Sequence, residues 1–289
     1  MPVPPAAPSP DFHEKPWPPL RNIVLGYLEQ ARPHTIWGTG EIDVTEPLLR
    51  LKHCQRELRI AISFHAVILH ALAQAAALHP GVLTYRHGRK LVTFTEVDVC
   101  TTIDRKIEGH RMPGVHCVRS AQRKSLAAIN WELREAINRP VPNDPVVAQR
   151  RRFARLPAFV RRWLGGKVSA NPHLLRRIYG TIGLTNLNSH GLNRPLWALP
   201  PTLCTVTVAS GSIVDRLASD GHGGAVVRRH LCVTGAADHA VIDGMPLSRF
   251  TLEFCQQLES GAALDDAFIA ETRRLMAADP ELAGRGASA

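Results

Sequence analysis

His239 stands four residues before an Asp-Gly pair in Ala237-Asp238-His239-Ala240-Val241-Ile242-Asp243-Gly244, at the end of an alternating apolar run. An imidazole is the side chain best suited to take a proton near neutral pH. A strand running out into a turn positions a side chain without smothering it. Asp243 can hold a buried charge partner and fix the turn, and Gly244 can adopt a backbone angle that other residues resist. The bland alternative is a hydrogen-bonded core histidine followed by a helix-entry turn.

Other constellations are weaker. His65 and His70 are five residues apart on a helical stretch, on different faces, which is not metal-ligand spacing. The six cysteines (Cys54, Cys100, Cys117, Cys204, Cys232 and Cys255) form no Cys-x-x-Cys pair, so reduced, mostly buried thiols are expected and no metal site. The text nearest a nucleophile elbow, Ala209-Ser210-Gly211-Ser212, does not match Gly-x-Ser-x-Gly. Phosphate-loop and dinucleotide fingerprints are absent.

The elements that position these residues read as interleaved strands and helices. Arg21 to Ala31 has helical spacing, and Ile36 to Val44 reads as a strand. Thr45-Glu46-Pro47 opens a helix with Thr45 as its cap. A third helix runs from Ser63 to Leu78 and stops at His79-Pro80-Gly81. Tyr85 to Lys90 reads as an exposed turn between short strands. Val97, Val99, Thr101 and Ile103 alternate as a strand. After a short strand at Val115 to Val118, Ser125 starts a helix with core face Leu126, Ile129, Leu133 and Ile137. Strands are expected at Thr181 to Asn186, Leu203 to Ala209, Ser212 to Leu217 and Ala225 to Gly235, then a helix from Pro246 to Glu259. The pattern predicts one α/β domain, a large mixed sheet with helices packed on it.

The chain has 289 residues and a net charge of +10. That charge points to nucleic acid, a membrane surface or acidic small molecules. It is concentrated: between Pro145 and Val214 there is no acidic residue, while Arg150, Arg151, Arg152, Arg155, Arg161, Arg162, Lys167, Arg176 and Arg177 alternate with Phe153, Leu156, Phe159, Val160, Trp163 and Leu164. This basic amphipathic element, about 140–178, reads as a solvated helix packed on the domain. The alternatives are a docking surface for an acidic carrier protein, a membrane-surface element, or a lid over a substrate channel. Residues 1–19, rich in proline, read as a flexible arm, and 266–289 as a C-terminal helix and frayed tail. No signal peptide or apolar span is evident, so a cytoplasmic protein is expected.

In order along residues 20 to 262, the chain resembles the catalytic domain of the dihydrolipoyl acyltransferases of 2-oxo acid dehydrogenase complexes and, more distantly, chloramphenicol acetyltransferase. Leu20-Arg21-Asn22-Ile23 through Pro33-His34 resembles the opening helix. Glu41 to Thr45 resembles the first core strand, and Arg123-Lys124-Ser125-Leu126 a helix start. Thr185-Asn186-Leu187 with Gly191 resembles the Ser/Thr-Asn-Leu-Gly-x-x-Gly loop. Pro200-Pro201 before Cys204 recurs there, and Asp238 to Gly244 resembles the terminal signature.

The resemblance implies a two-layer α/β sandwich of chloramphenicol acetyltransferase type over residues 20–265. It also implies homotrimers with active sites between subunits. His239 would be the general base for a thiol, hydroxyl or amine acceptor attacking an acyl thioester of coenzyme A or carrier-bound pantetheine. Thr185 would donate to the oxyanion, and Asp243 would orient the loop through an ion pair, with Arg32 one partner considered. The alternative for Thr185 is a strand-end hydroxyl bonded to backbone. Ala240 stands where the family has Asp-His-Arg, closer to the chloramphenicol type, and Asn188 replaces a loop glycine. Lipoyl and subunit-binding segments are not recognised, so a free-standing acyltransferase without covalent lipoyl or metal is expected. Two alternatives stand beside it. One is a dihydrolipoyl acyltransferase core whose lipoyl domain is on another chain. The other is a silent trimeric scaffold binding anionic partners. Nucleic acid is disfavoured as a partner.

Overall fold

The computed structural model describes residues 21–31, 34–107, 110–139, 152–187 and 194–284. The proline-rich arm, Arg32 and the 140–151 stretch lie outside the described residues, as do positions 188–193.

The chain order is α1 (Arg21–Leu28), β1 (Thr35–Asp43), α2 (Thr45–Leu58), α3 (Phe64–Leu78), β2 (Thr84–His87), β3 (Lys90–Thr93), β4 (Val99–Ile107), β5 (His110–Val118), α4 (Leu126–Asn138), α5 (Ala158–Ala170), α6 (Pro172–Tyr179), β6 (Ile182–Asn186), β7 (Val206–Ser219), β8 (Ala225–Asp238), α7 (Gly244–Ser260), α8 (Asp266–Ala278) and α9 (Pro280–Gly284). Six strands form a mixed sheet in the order β1-β8-β7-β6-β4-β5, and β2 and β3 form a separate hairpin. Only the β7/β6 and β6/β4 pairs are parallel. The fold is α/β, a mixed sheet with packed helices as the alternation of elements predicts, and two-layered as the resemblance implies.

Helices α2, α3, α4, α7 and α8 cover one sheet face. Helix α3 lies at the centre of this layer, between α4 and α7. It is apolar nearly all round and buries Ala66, Val67, Ile68, Leu69, Ala71, Leu72, Ala73, Ala75 and Ala76. A helix buried on all sides has no need of an amphipathic stripe, and its alanines let neighbours approach closely. The core continues through Val99, Leu184, Val208, Leu231, Phe254 and Leu258 into Phe268 and Ile269 of α8. The C-terminal segment is helical from Asp266 and packed as far as Leu282.

Three local expectations are corrected. Thr45 does not cap α2: its hydroxyl accepts from the Arg229 amide, while Asp43 accepts from the Thr45 amide at 2.9 Å. Tyr85 is buried rather than exposed, and its hydroxyl donates to the Thr181 carbonyl at 2.8 Å. Leu203 to Ala209 and Ser212 to Leu217 are not two strands: β7 is continuous from Val206, with a register shift between Ser210 and Ile213. Gly211 lies in that bulge. A Cβ there would collide with the Leu196 carbonyl, so a glycine is required where the 194–200 segment crosses the sheet.

A second, smaller core, near the N-terminal ends of β4, β6 and β7, joins Tyr85, Phe94, Leu175, Leu203 and Cys204. Its anchor is Asp98, whose side chain is only 3% exposed; it accepts from Arg176 at 2.8 Å, the Ser120 amide at 2.9 Å and Arg119 at 3.2 Å. Burial pushes the carboxyl up, but the Arg176 hydrogen bond, the Ser120 amide and the two guanidinium charges outweigh it and hold it below the usual carboxylate range. Arg119 also donates to the carbonyls of Arg176 and Arg177, satisfying the end of α6.

Elsewhere in the core, His65 accepts or donates at 2.6 Å with the Thr101 hydroxyl through Nε2, and its buried Nδ1 has no partner among the described residues. Burial pushes its pKa down from 6.5 to about 4.

Two stability predictions follow from opposite signs. An imidazole neutral in the fold but free to charge when unfolded leaves stability intact above pH 6.5 and drains it between 6.5 and about 4. The full loss is about 3 kcal/mol. Urea unfolding of His65→Gln across that range is expected to show a flatter decline than wild type, whatever its stability at pH 7. Asp98 acts below this window. Its depressed pKa contributes stability above the unfolded value of 3.8 that is lost as pH falls through the folded value. Asp98→Asn is expected to cost about 2 kcal/mol at pH 7 and to shrink the mutant's difference from wild type below pH 4.

Candidate active site

Strand β8 ends at Asp238, and the chain turns through residues 239–241 before α7 begins at Gly244. Asp238 organises the turn. It is buried; its amide donates to the Thr205 carbonyl at 2.8 Å, its carbonyl accepts from the Val241 and Ile242 amides at 3.0 and 3.2 Å, and its carboxylate accepts from the Ala240 amide at 3.1 Å. An aspartate whose side chain caps the amide two residues on is an Asx turn. The His239 amide donates to the His34 carbonyl at 2.9 Å, and Ile242 is buried, so the turn is pinned from both sides.

The His239 side chain is 49% exposed, with Nδ1 3.1 Å from the Ile242 carbonyl oxygen. A carbonyl only accepts, so in the neutral ring Nδ1 carries the hydrogen and Nε2 keeps its lone pair. The turn's own backbone thus sets the tautomer of a proton acceptor. His239 is not a core histidine.

Asp243 lies nearby, its Oδ1 3.9 Å from His239 Nδ1, and its side chain is 89% exposed. The expected buried charge partner is not found among the described residues, and Arg32 lies outside them. Asp243 does stand at the N-cap position of α7, where its carbonyl accepts from the Leu247 amide. Gly244 does not adopt the special backbone angle expected of it. It has no positive φ, and a Cβ would meet nothing within 4 Å.

Thr185 lies on β6, paired with Ala209 of β7. Leu184 faces the helical core, so alternation turns Thr185 to the opposite face. There its hydroxyl is 3.3 Å from that of Thr102 on β4. Beside it Gly183 packs against the Thr207 side chain, where a Cβ would collide. The following loop, with Asn188 and Gly191, falls outside the described residues.

The structure does not bring Thr185 and His239 together within one chain. Ala209 pairs with Thr234, so two strand spacings and five residues of β8 separate them, on the order of 20 Å. Sequence reasoning missed Asp238 as the turn's organiser and Thr102 as the companion of Thr185. An aspartate one residue before a predicted turn is a legible Asx signal. The Thr102–Thr185 contact joins strands far apart in sequence and had none. Among the described residues, no three His, Cys, Asp or Glu side chains cluster as metal ligands. Burial pushes the Cys117 thiol up to about 12, which removes it as a nucleophile.

No family profile and no curated protein matches the chain. Solved structures do. A probable dihydrolipoamide acetyltransferase from Listeria monocytogenes matches with a TM-score of 0.62 at 18% identity, over 86% of this chain and 95% of that one. The dihydrolipoamide acetyltransferase of Azotobacter vinelandii matches with a TM-score of 0.64 at 17% identity, over 91% and 99%. Chloramphenicol acetyltransferase matches at 0.51 and 16%, over 85% and 95%. The chain has the fold of dihydrolipoamide acetyltransferase catalytic cores. Strand β6 runs parallel to β7 and β8 antiparallel to it, so the β8 turn and the C-terminal end of β6 lie at opposite ends of the sheet.

The tautomer is open to measurement. Nitrogen-15 NMR of the His239 ring in its neutral form is expected to show a protonated Nδ1 and an unprotonated Nε2. Asp238→Ala is expected to mix the tautomers and cost about 1–2 kcal/mol through the lost turn bond. A wild-type ring protonated at Nε2 would contradict the assignment.

Proposed function

We propose that the chain is an acyltransferase that moves an acyl group from a thioester, of coenzyme A or of carrier-bound pantetheine, to a thiol, hydroxyl or amine acceptor. His239 Nε2 takes the acceptor's proton as the acceptor attacks the thioester carbonyl carbon. Thr185 donates to the oxyanion so formed. Collapse of the tetrahedral intermediate expels the thiolate, which recovers the proton from His239. The observation that carries this reading is the backbone-locked imidazole, with Nδ1 bonded to the Ile242 carbonyl and Nε2 left basic on a half-exposed ring. The shared fold supports it. The Azotobacter vinelandii enzyme has been examined for the catalytic roles of a serine, a histidine and an asparagine four residues after the histidine, which is the spacing of His239 and Asp243 here.

The separation of Thr185 from His239 supports a site completed by a second copy of the chain. His239 of one protomer meets Thr185 of its neighbour, and a head-to-tail contact of this kind closes as a ring, here a trimer. Asp243, exposed in the single chain, then stands where a neighbour can meet it.

His239→Ala is expected to abolish transfer from an acyl-coenzyme A to a small thiol, with dihydrolipoamide as one acceptor tried. Thr185→Val is expected to reduce it by about 10²–10³-fold. The decisive experiment mixes the two variants. Trimers assembled from both chains regain sites that hold a wild-type His239 and a wild-type Thr185, about a quarter of all sites for random mixing of equal amounts. No recovery on mixing would place both groups in one chain and defeat the shared site. Full activity of His239→Ala would defeat the assignment of the base.

A further inference from the structure

Helix α5 is unlike the helices of the main layer, for it buries none of its residues. It packs chiefly on α1 and α6, outboard of the sheet. Arg162 pairs with Glu29 at 3.0 Å, and the Ser169 hydroxyl bonds Gln30 at 3.1 Å, tying α5 to the end of α1. Val160, Leu164 and Val168 turn inward. Phe159, Arg162, Trp163 and Lys167 form the outward stripe, one helical face by their spacing. Phe159 is 74% exposed and Trp163 62%. The Lys167 ammonium lies 5.8 Å from the centre of the Trp163 ring. The next helix repeats the arrangement on a smaller scale, with Leu174 and Ile178 exposed four residues apart and Arg177 beside them.

Two large aromatics side by side in water forgo the free energy of burial, about 1.5–3 kcal/mol for each such side chain. Their surroundings specify what can cover them. No carboxylate occurs from Pro145 to Val214. Arg152, Arg155 and Arg177 make no ion pair among the described residues. The aromatics stand out from an outlying helix that buries none of its own residues. The cations are spread along two helices instead of ringing a polar rim. A fluid anionic surface satisfies both features, since it accepts a protruding apolar ridge and offers phosphates wherever a cation falls. An acidic protein would have to match the shape of the ridge.

We propose that α5, extended by α6, docks this protein on an anionic lipid bilayer. Phe159 and Trp163 enter the boundary between headgroups and acyl chains, and Arg155, Lys167 and Arg177 lie over the phosphates. The inference is independent of the acyl-transfer reading.

The test uses the full chain and vesicles of phosphatidylcholine, with or without phosphatidylserine. Sedimentation with the serine-containing vesicles is expected, weakening with salt. The double change F159S/W163S is expected to lower the partition coefficient at least about tenfold. The triple change R155Q/K167Q/R177Q is expected to lower it by a similar factor, on phosphatidylserine vesicles only. Brominated lipid is expected to quench wild-type fluorescence more than that of W163F, which keeps an aromatic ring and its binding. Circular dichroism and sedimentation velocity of every variant are expected to match wild type. Absence of vesicle binding would overturn the proposal and leave an acidic protein as the partner to seek. Binding untouched by F159S/W163S would overturn it too. So would dissociation of the oligomer by that double change, since the ridge would then be covered by a second copy.

Discussion

The geometry of the site rests on one buried carboxylate. Asp238 closes the β8 ladder with its amide, starts the turn with its carbonyl and caps the Ala240 amide with its side chain. The turn leaves the Ile242 carbonyl pointing at Nδ1 of His239. A proton acceptor needs its lone pair aimed and its other nitrogen occupied. Here the occupying group is the chain's own backbone, which cannot itself ionise. The carboxylate that stands closest in sequence after the turn, Asp243, is too far for a hydrogen bond and largely hydrated. Orientation thus comes from a neutral dipole rather than from a charge.

The sheet then sets where the second group can be. Strand order places β7 between β6 and β8, so Thr185 and His239 lie on strands that never touch. Strands are stiff and evenly spaced, and no side-chain rotamer closes a gap on the order of 20 Å. A site using both groups must therefore draw on two chains.

Charge is handled differently in the two layers. In the main layer the buried Arg134 is satisfied by backbone, donating to the carbonyls of Ala61, Leu282 and Ala283. The positive charge of the 152–179 stretch meets carboxylates at Asp98, through Arg176, and at Glu29, through Arg162. Arg155, Lys167 and Arg177 remain outward.

Much of this was legible in the sequence. Period and punctuation located α3, and a serine cap with Leu126, Ile129 and Leu133 located α4, because local hydrogen bonding and a one-sided apolar face decide such helices. The same local signals marked β8 and the turn that presents His239. Other features depended on residues distant in the chain. Tyr85 looked like part of a polar turn, and it is buried only because β6 arrives to offer the Thr181 carbonyl. Gly211 looked like a break between strands and proved to be a bulge, because the 194–200 segment crosses above it. Nothing local in Asp98 shows that it gathers two arginines from either side of it. The sequence by itself determined most of the elements, the fold class and the turn that presents His239, since these follow from periodicity and from turn chemistry. Only the tertiary structure decided the tautomer of His239, the partnership of Thr102 with Thr185 and the distance between the two site residues, since each depends on strand order and register.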